Sequence, residues 1–137
     1  MADLQAPTVP MGNPFYGNIE ELTLKNNNYR HVLYTGKLQL VLMTLQPGED
    51  IGWEIHDGHD QFFRIEAGEG EIYVDDQVFK VKDGDSVVVP AGAKHNVKNT
   101  GDTPLKLYTI YAPPEHPHGV VHKTKQDQFN DPRYKNH

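Results

Sequence analysis

Residues 54 to 61, Glu54-Ile55-His56-Asp57-Gly58-His59-Asp60-Gln61, put two imidazoles, three carboxylates and one amide into eight positions. These side chains bind divalent transition metals, and a bound ion polarises a carbonyl or activates a water. Which of Glu54, His56, Asp57, His59, Asp60 and Gln61 would be ligands depends on the backbone that carries them. On a strand, residues two apart share a face, which groups Glu54 with His56 and with Gly52, where a missing side chain leaves room for a ligand. The turn Asp57–Asp60 then leads to a second strand that opens with Gln61 and carries Phe63 and Ile65 on the same face. A hairpin of this kind would unite Glu54, His56 and Gln61. His59 falls in the turn and is expected to be exposed; it becomes a substitute ligand if the register shifts. Asp57 and Asp60 are assigned to turn chemistry through side-chain to backbone bonds.

A partner imidazole stands further along. The stretch "GDSVVVPAGAKHNVKN", residues 84 to 99, reads as an apolar strand ending at Pro90, a turn through Gly92, and a strand opening with His95. The run "SVVV" suits a strand buried on both faces. Two imidazoles, one carboxylate and one amide oxygen would then meet inside a β-structure.

The elements needed to hold them are legible around the motif. From Tyr29 onward, segments of about six residues rich in β-branched and aromatic side chains alternate with Gly, Asp, Asn and Pro turns. They predict strands at 29–35, 38–45, 51–56, 61–66, 70–75, 77–82, 86–89, 95–98 and 105–112, an all-β sandwich or barrel. Residues 1–28 form an arm with Pro7, Pro10 and Pro14, then a short helix near 18–27, which Asn18 can cap and where Glu20 and Glu21 suit the helix dipole. Residues 29–112 are the barrel. Residues 113–137 are read as an irregular tail whose histidines His116, His118 and His122 are solvated; a rival reading folds the tail back as a lid. Tyr111 shares parity with Leu105 and Leu107, so it and Phe63 are candidates to face inward and touch a substrate.

Composition narrows the chemistry. The 137 residues include no cysteine, so disulfides, thiolate nucleophiles and iron–sulfur clusters are excluded. A net charge of −6 argues against nucleic acid and anionic membranes as partners. It leaves an anionic small molecule open, because a bound cation inverts the local field. No apolar run is long enough to span a bilayer and no secretory signal is evident, so a cytoplasmic protein is expected.

At the level of motifs the chain resembles the cupins. Gly48, Glu54, His56, Gln61 and Gly68 follow the first cupin motif, G-x5-H-x-H-x3–4-E-x6-G, with Glu54 in place of its first histidine and Gln61 in place of its glutamate. Gly84, Pro90, Gly92, His95 and Asn99 follow the second motif, G-x5-P-x-G-x2-H-x3-N, at every named position. The resemblance implies a cupin jelly roll (a double-stranded β-helix) close to the small mannose-6-phosphate-isomerase-like cupins. It carries the ligand set onto Glu54, His56, Gln61 and His95. That set keeps one negative charge but trades an imidazole for a harder amide oxygen, which favours Zn, Mn or Fe(II) over copper or nickel.

The resemblance implies action on a small acid, hydroxy-ketone or sugar by Lewis-acid isomerase, lyase or cyclase chemistry, with Glu54 as the base if it detaches. Its rivals are a non-catalytic binding module, a dioxygenase and a metal-free structural cupin. A phosphosugar fits poorly, since Arg64 and Lys94 are the sole cations near the motif. Pairing of sheet edges is expected to give a homodimer.

Overall fold

A computed structural model of the chain describes residues 7–134. The first six residues of the expected arm and the last three of the expected tail lie outside the described residues. The chain runs α1 (Ile19–Lys25), β1 (Arg30–Thr35), β2 (Gln39–Leu45), β3 (Glu54–Ile55), β4 (Asp60–Ala67), β5 (Glu69–Val74), β6 (Gln77–Lys82), β7 (Ser86–Val89), β8 (Lys94–Asn99), β9 (Leu105–Ala112), β10 (Val121–His122), α2 (Lys125–Asn130) and a 3-10 turn, Pro132–Tyr134. The strands form two antiparallel sheets, ordered β10-β1-β2-β9-β4-β7 and β3-β8-β5-β6. This is the expected all-β jelly roll.

Alternation of side chains drives the inner faces of both sheets together. Val32, Val41, Met43, Leu45, Phe63, Ile65, Ile72, Val97, Leu105, Leu107 and Tyr111 form one buried cluster between them. The outer face of β2 is covered as well. Leu33, Leu40 and Leu42 pack under Ile19 and Leu22 of α1 and under Phe15 of the arm. All seven residues of β2 are therefore buried. The two-sided burial expected of "SVVV" belongs instead to β2: β7 is an edge strand, and its Val88 is 61% exposed. Helix α1 begins as expected, with Asn18 accepting a hydrogen bond from the Glu21 N–H at 3.0 Å.

Neither expected hairpin forms. Strand β3 pairs with β8, whereas β4 pairs with β7 and β9. The Asp57–Asp60 turn is thus a crossover from one sheet to the other, and so is the turn from β7 to β8. Glycines make the tight passages. Gly68 has φ 86°, and a Cβ there would come 2.6 Å from the Pro104 carbonyl oxygen.

The tail is ordered where an irregular segment was expected. Strand β10 adds to β1 through the pairs Arg30–His122 and His31–Val121. Thr124 and Asp127 close a capping box at the start of α2. His116 and His122 are buried; His118 remains exposed.

Candidate metal centre

Each sheet contributes to one end of the barrel interior. In the smaller sheet, Glu54 and His95 are direct cross-strand partners. In the larger sheet, Gln61 of β4 lies opposite Tyr111 of β9, which in turn lies opposite Gln39 of β2. His56 follows β3, and the Gly92 N–H donates to its carbonyl at 2.9 Å. Asp60 accepts from the Ala91 N–H at 2.9 Å, a side-chain to backbone bond that ties its turn to the other crossover instead of closing its own turn as expected. These ties place the two crossovers side by side.

Ligand atoms of Glu54, His56 and His95 lie within 4.8 Å of one another. Glu54 Oε1 is 3.3 Å from His56 Nε2, and Gln61 Oε1 is 3.1 Å from His95 Nε2. The four residues singled out in the sequence are therefore together, although His56 lies just outside the strand expected to carry it.

Their hydrogen bonding fits a bound cation. A neutral imidazole has one N–H. On His95 that proton belongs on Nδ1, which sits 3.1 Å from the Ala93 carbonyl oxygen. Burial lowers the pKa of His95 and disfavours a second proton. Its Nε2 therefore points a lone pair at Gln61 Oε1. The Gln61 amide also bonds Thr109 Oγ1 at 3.0 Å, a hydroxyl that pairs with either end of an amide. With its oxygen toward His95, Gln61 offers a further donor atom to a cation in this buried site. His56 Nε2 is likewise buried without a well-aligned hydrogen-bond partner.

Electrostatics keep the set ready. Burial pushes the Glu54 carboxyl up, but contact with His56 and the charge of Arg30 outweigh it and leave the group below the usual carboxylate range. Burial opposes charge on His56, yet Glu54 and then Glu115 raise its pKa above that of an ordinary histidine.

The other residues singled out are placed differently. His59 is 8% exposed, not solvated, because the crossover turns its ring inward onto His56 at a centroid distance of 4.6 Å. Phe63 and Tyr111 do face inward, but each is 1% exposed. They pack behind the histidines instead of lining an opening. Tyr111 meets the rings of His56 and His59 edge-on, and burial raises its pKa, so its hydroxyl stays protonated.

A cleft of about 410 Å³ reaches Glu54 and His56. Gly52 and Trp53 line one side of it; Glu115, Gln128, Phe129 and Tyr134 of the tail line the other. A Cβ at Gly52 would meet nothing within 4 Å, so the space inferred there from sequence is open. The favoured reading of a solvated tail missed this contribution; the rival reading of a tail folded back over the site anticipated it, although the tail residues that line the cleft are not its histidines. Gln39, fully buried, clamps its backbone: the side-chain oxygen accepts from the N–H groups of Glu115 (3.1 Å) and His116 (2.8 Å), and the NH2 donates to the His116 carbonyl (2.8 Å). Arg30, also buried, donates to Gln128 and lies over the ring of Tyr134. A Gln opening a strand that is apolar except for Thr44 was the available signal; the tail itself has no periodicity to read.

Comparison with known proteins gives concordant results. The family model described as a cupin domain matches residues 41–111. The Bacillus subtilis protein YrkC is 54% identical over 121 residues, covering 83% of this chain. This chain spans 65% of the length of that relative. A crystal structure from Bacillus halodurans aligns with a TM-score of 0.87 at 46% identity, covering 90% of this chain and 99% of that one. An oxalate-binding protein of Thermotoga maritima is 31% identical over 68 residues, half of this chain and 56% of that protein.

Proposed function

This chain belongs to the cupin family, and from that premise we propose that it holds one divalent ion, Zn, Mn or Fe(II), at Glu54, His56, Gln61 and His95 and acts there on a small oxygenated molecule. The observation that carries the reading is the convergence of Glu54, His56 and His95, whose ligand atoms lie within 4.8 Å of one another with Gln61 Oε1 3.1 Å from His95 Nε2. When bound, the ion supplies Lewis acidity to a ligand oxygen.

The protein's own groups set the rest. Glu54 lines the cleft and is ionised at neutral pH, so it serves as a ligand or accepts a proton from a substrate held in the cleft. Trp53 and Phe129 give the cleft an aromatic rim that shields a bound molecule from water. A small carboxylic acid is the favoured substrate class. The net charge of the four side chains is −1, so a divalent ion leaves the site positive, and the Thermotoga relative is named for binding oxalate. A mannose-6-phosphate-isomerase-like role receives less support. Among the described residues lining the cleft, Lys125 is the one Lys or Arg, and Asp50 engages it at 2.7 Å.

Isomerase, lyase or cyclase chemistry is the favoured reaction type. The relative's name equally supports a binding module without turnover, and one experiment separates the two. The protein is loaded with Zn, Mn or Fe(II), challenged with oxalate and with small hydroxy and keto acids, and followed by thermal shift and by NMR of the ligand. Metal-dependent conversion supports the enzyme. A metal-dependent thermal shift with unchanged ligand supports the binder, and absence of metal uptake defeats both.

A further inference from the structure

His56 presents one ring nitrogen to each of two carboxylates. Its Nε2 faces Glu54 Oε1 at 3.3 Å, and its Nδ1 faces Glu115 Oε2 at 3.7 Å. The other oxygen of Glu115 lies 3.7 Å from His59 Nε2. His59 is more than nine-tenths buried, and that nitrogen has no hydrogen-bond partner. Ligand atoms of His56, His59 and Glu115 fall within 4.8 Å of one another. A separation of 3.7 Å exceeds an N–H···O hydrogen bond. It is close to the ~3.4 Å between two ligand atoms on a tetrahedral ion with bonds of ~2.1 Å.

The geometry points to a second metal position, formed by His56 Nδ1, His59 Nε2 and the Glu115 carboxylate, distinct from the one at Glu54, Gln61 and His95. Two nitrogen donors and one oxygen suit a borderline divalent cation such as zinc and leave a coordination position open. The inference rests on the proposed function in one respect, since both positions use His56. A neutral imidazole offers a single lone pair, so His56 serves one position at a time. The chain then carries one ion, and the two positions compete for it. The barrel position has four donors on the barrel wall and is the tighter. The outer position needs the tail, because Glu115 is delivered by the backbone that Gln39 clamps.

The test is calorimetric titration of the full chain with Zn2+, with circular dichroism and thermal unfolding confirming that each variant is folded. Glu54→Gln and His95→Ala each disable the barrel position; two variants are used so that one misfolded protein does not end the test. In both, one zinc per chain is expected to remain at reduced affinity. Adding Glu115→Gln or His59→Gln to either is expected to weaken that residual binding by about tenfold or more. Complete loss of zinc in both folded single variants overturns the outer position, and so does residual binding indifferent to Glu115 and His59. Wild-type binding insensitive to Glu54→Gln and His95→Ala but abolished by Glu115→Gln overturns the barrel position and upholds the outer one. A wild-type protein that takes up no zinc overturns both.

Discussion

Glu54 and His59 are the residues on which the site turns, and they differ in what faces them. Glu54 is directly paired with His95 across two strands, whereas His59 reaches His56 from the crossover. Glu54→Gln is therefore expected to weaken zinc binding about 10- to 100-fold, and His59→Gln to weaken it less, as read by competition with a chromophoric chelator. The reverse order would move the principal site outward to Glu115. A pH effect follows from His56. Its folded pKa is raised by Glu54 and Glu115, so protons begin to displace metal at a pH above that of an ordinary histidine. His95, whose pKa is lowered, joins only at lower pH. Zinc affinity measured from pH 8 downward should hold, then decline by about tenfold per pH unit once His56 takes up its proton. Affinity independent of pH down to 6 would remove His56 from the ligand set.

Elements position these side chains by pairing across sheets. Strand β3 is two residues long, yet its register against β8 sets Glu54 beside His95. Its shortness also explains why parity within 51–56 grouped Glu54 with His56 by an incomplete route: His56 is held by the Gly92–His56 backbone bond instead of a ladder. Gly68 permits the passage from β4 to β5. Gly68→Ala forces a left-handed residue and a clash with the Pro104 carbonyl, so a loss of about 1–3 kcal/mol in denaturant unfolding is expected. Gln39 is the link between barrel and tail. Gln39→Ala leaves the backbone groups of Glu115 and His116 without their buried partners. The expected cost is about 1–3 kcal/mol, with amide exchange accelerating across 115–134 and the β4–β9 ladder remaining protected. Uniform acceleration over the whole chain would mean that the tail is not a separate unit.

At the scale of the whole molecule, an ion bound between the two sheets at Glu54, His56, Gln61 and His95 is expected to stabilise the fold, because the unfolded chain does not hold these ligands together. Zinc at 100 times its dissociation constant contributes about 2.7 kcal/mol, or a rise in Tm of roughly 8 °C for a chain of this size; a Tm unchanged by zinc would contradict binding to the folded state. Exposed Val78 and Phe79 on β6 and Val88 on β7 lie at sheet edges, and a homodimer is predicted; light scattering returning the 15.5 kDa of one chain at all concentrations would refute it. The strands from 29 to 112 were legible in the sequence because alternation and turn residues are local. The grouping of Glu54, His56, Gln61 and His95 was legible through the resemblance to the two cupin motifs, since the hairpins expected to unite them do not form. What sequence did not reveal is which strands pair, why β2 instead of β7 is buried on both faces, and that His59, Glu115, Gln39 and Arg30 gather at the site. Those features depend on contacts between segments far apart in the chain. Burial of an imidazole in a turn, or partial burial of a carboxylate in a proline-rich tail, follows from what packs over it, and only the folded chain decides that.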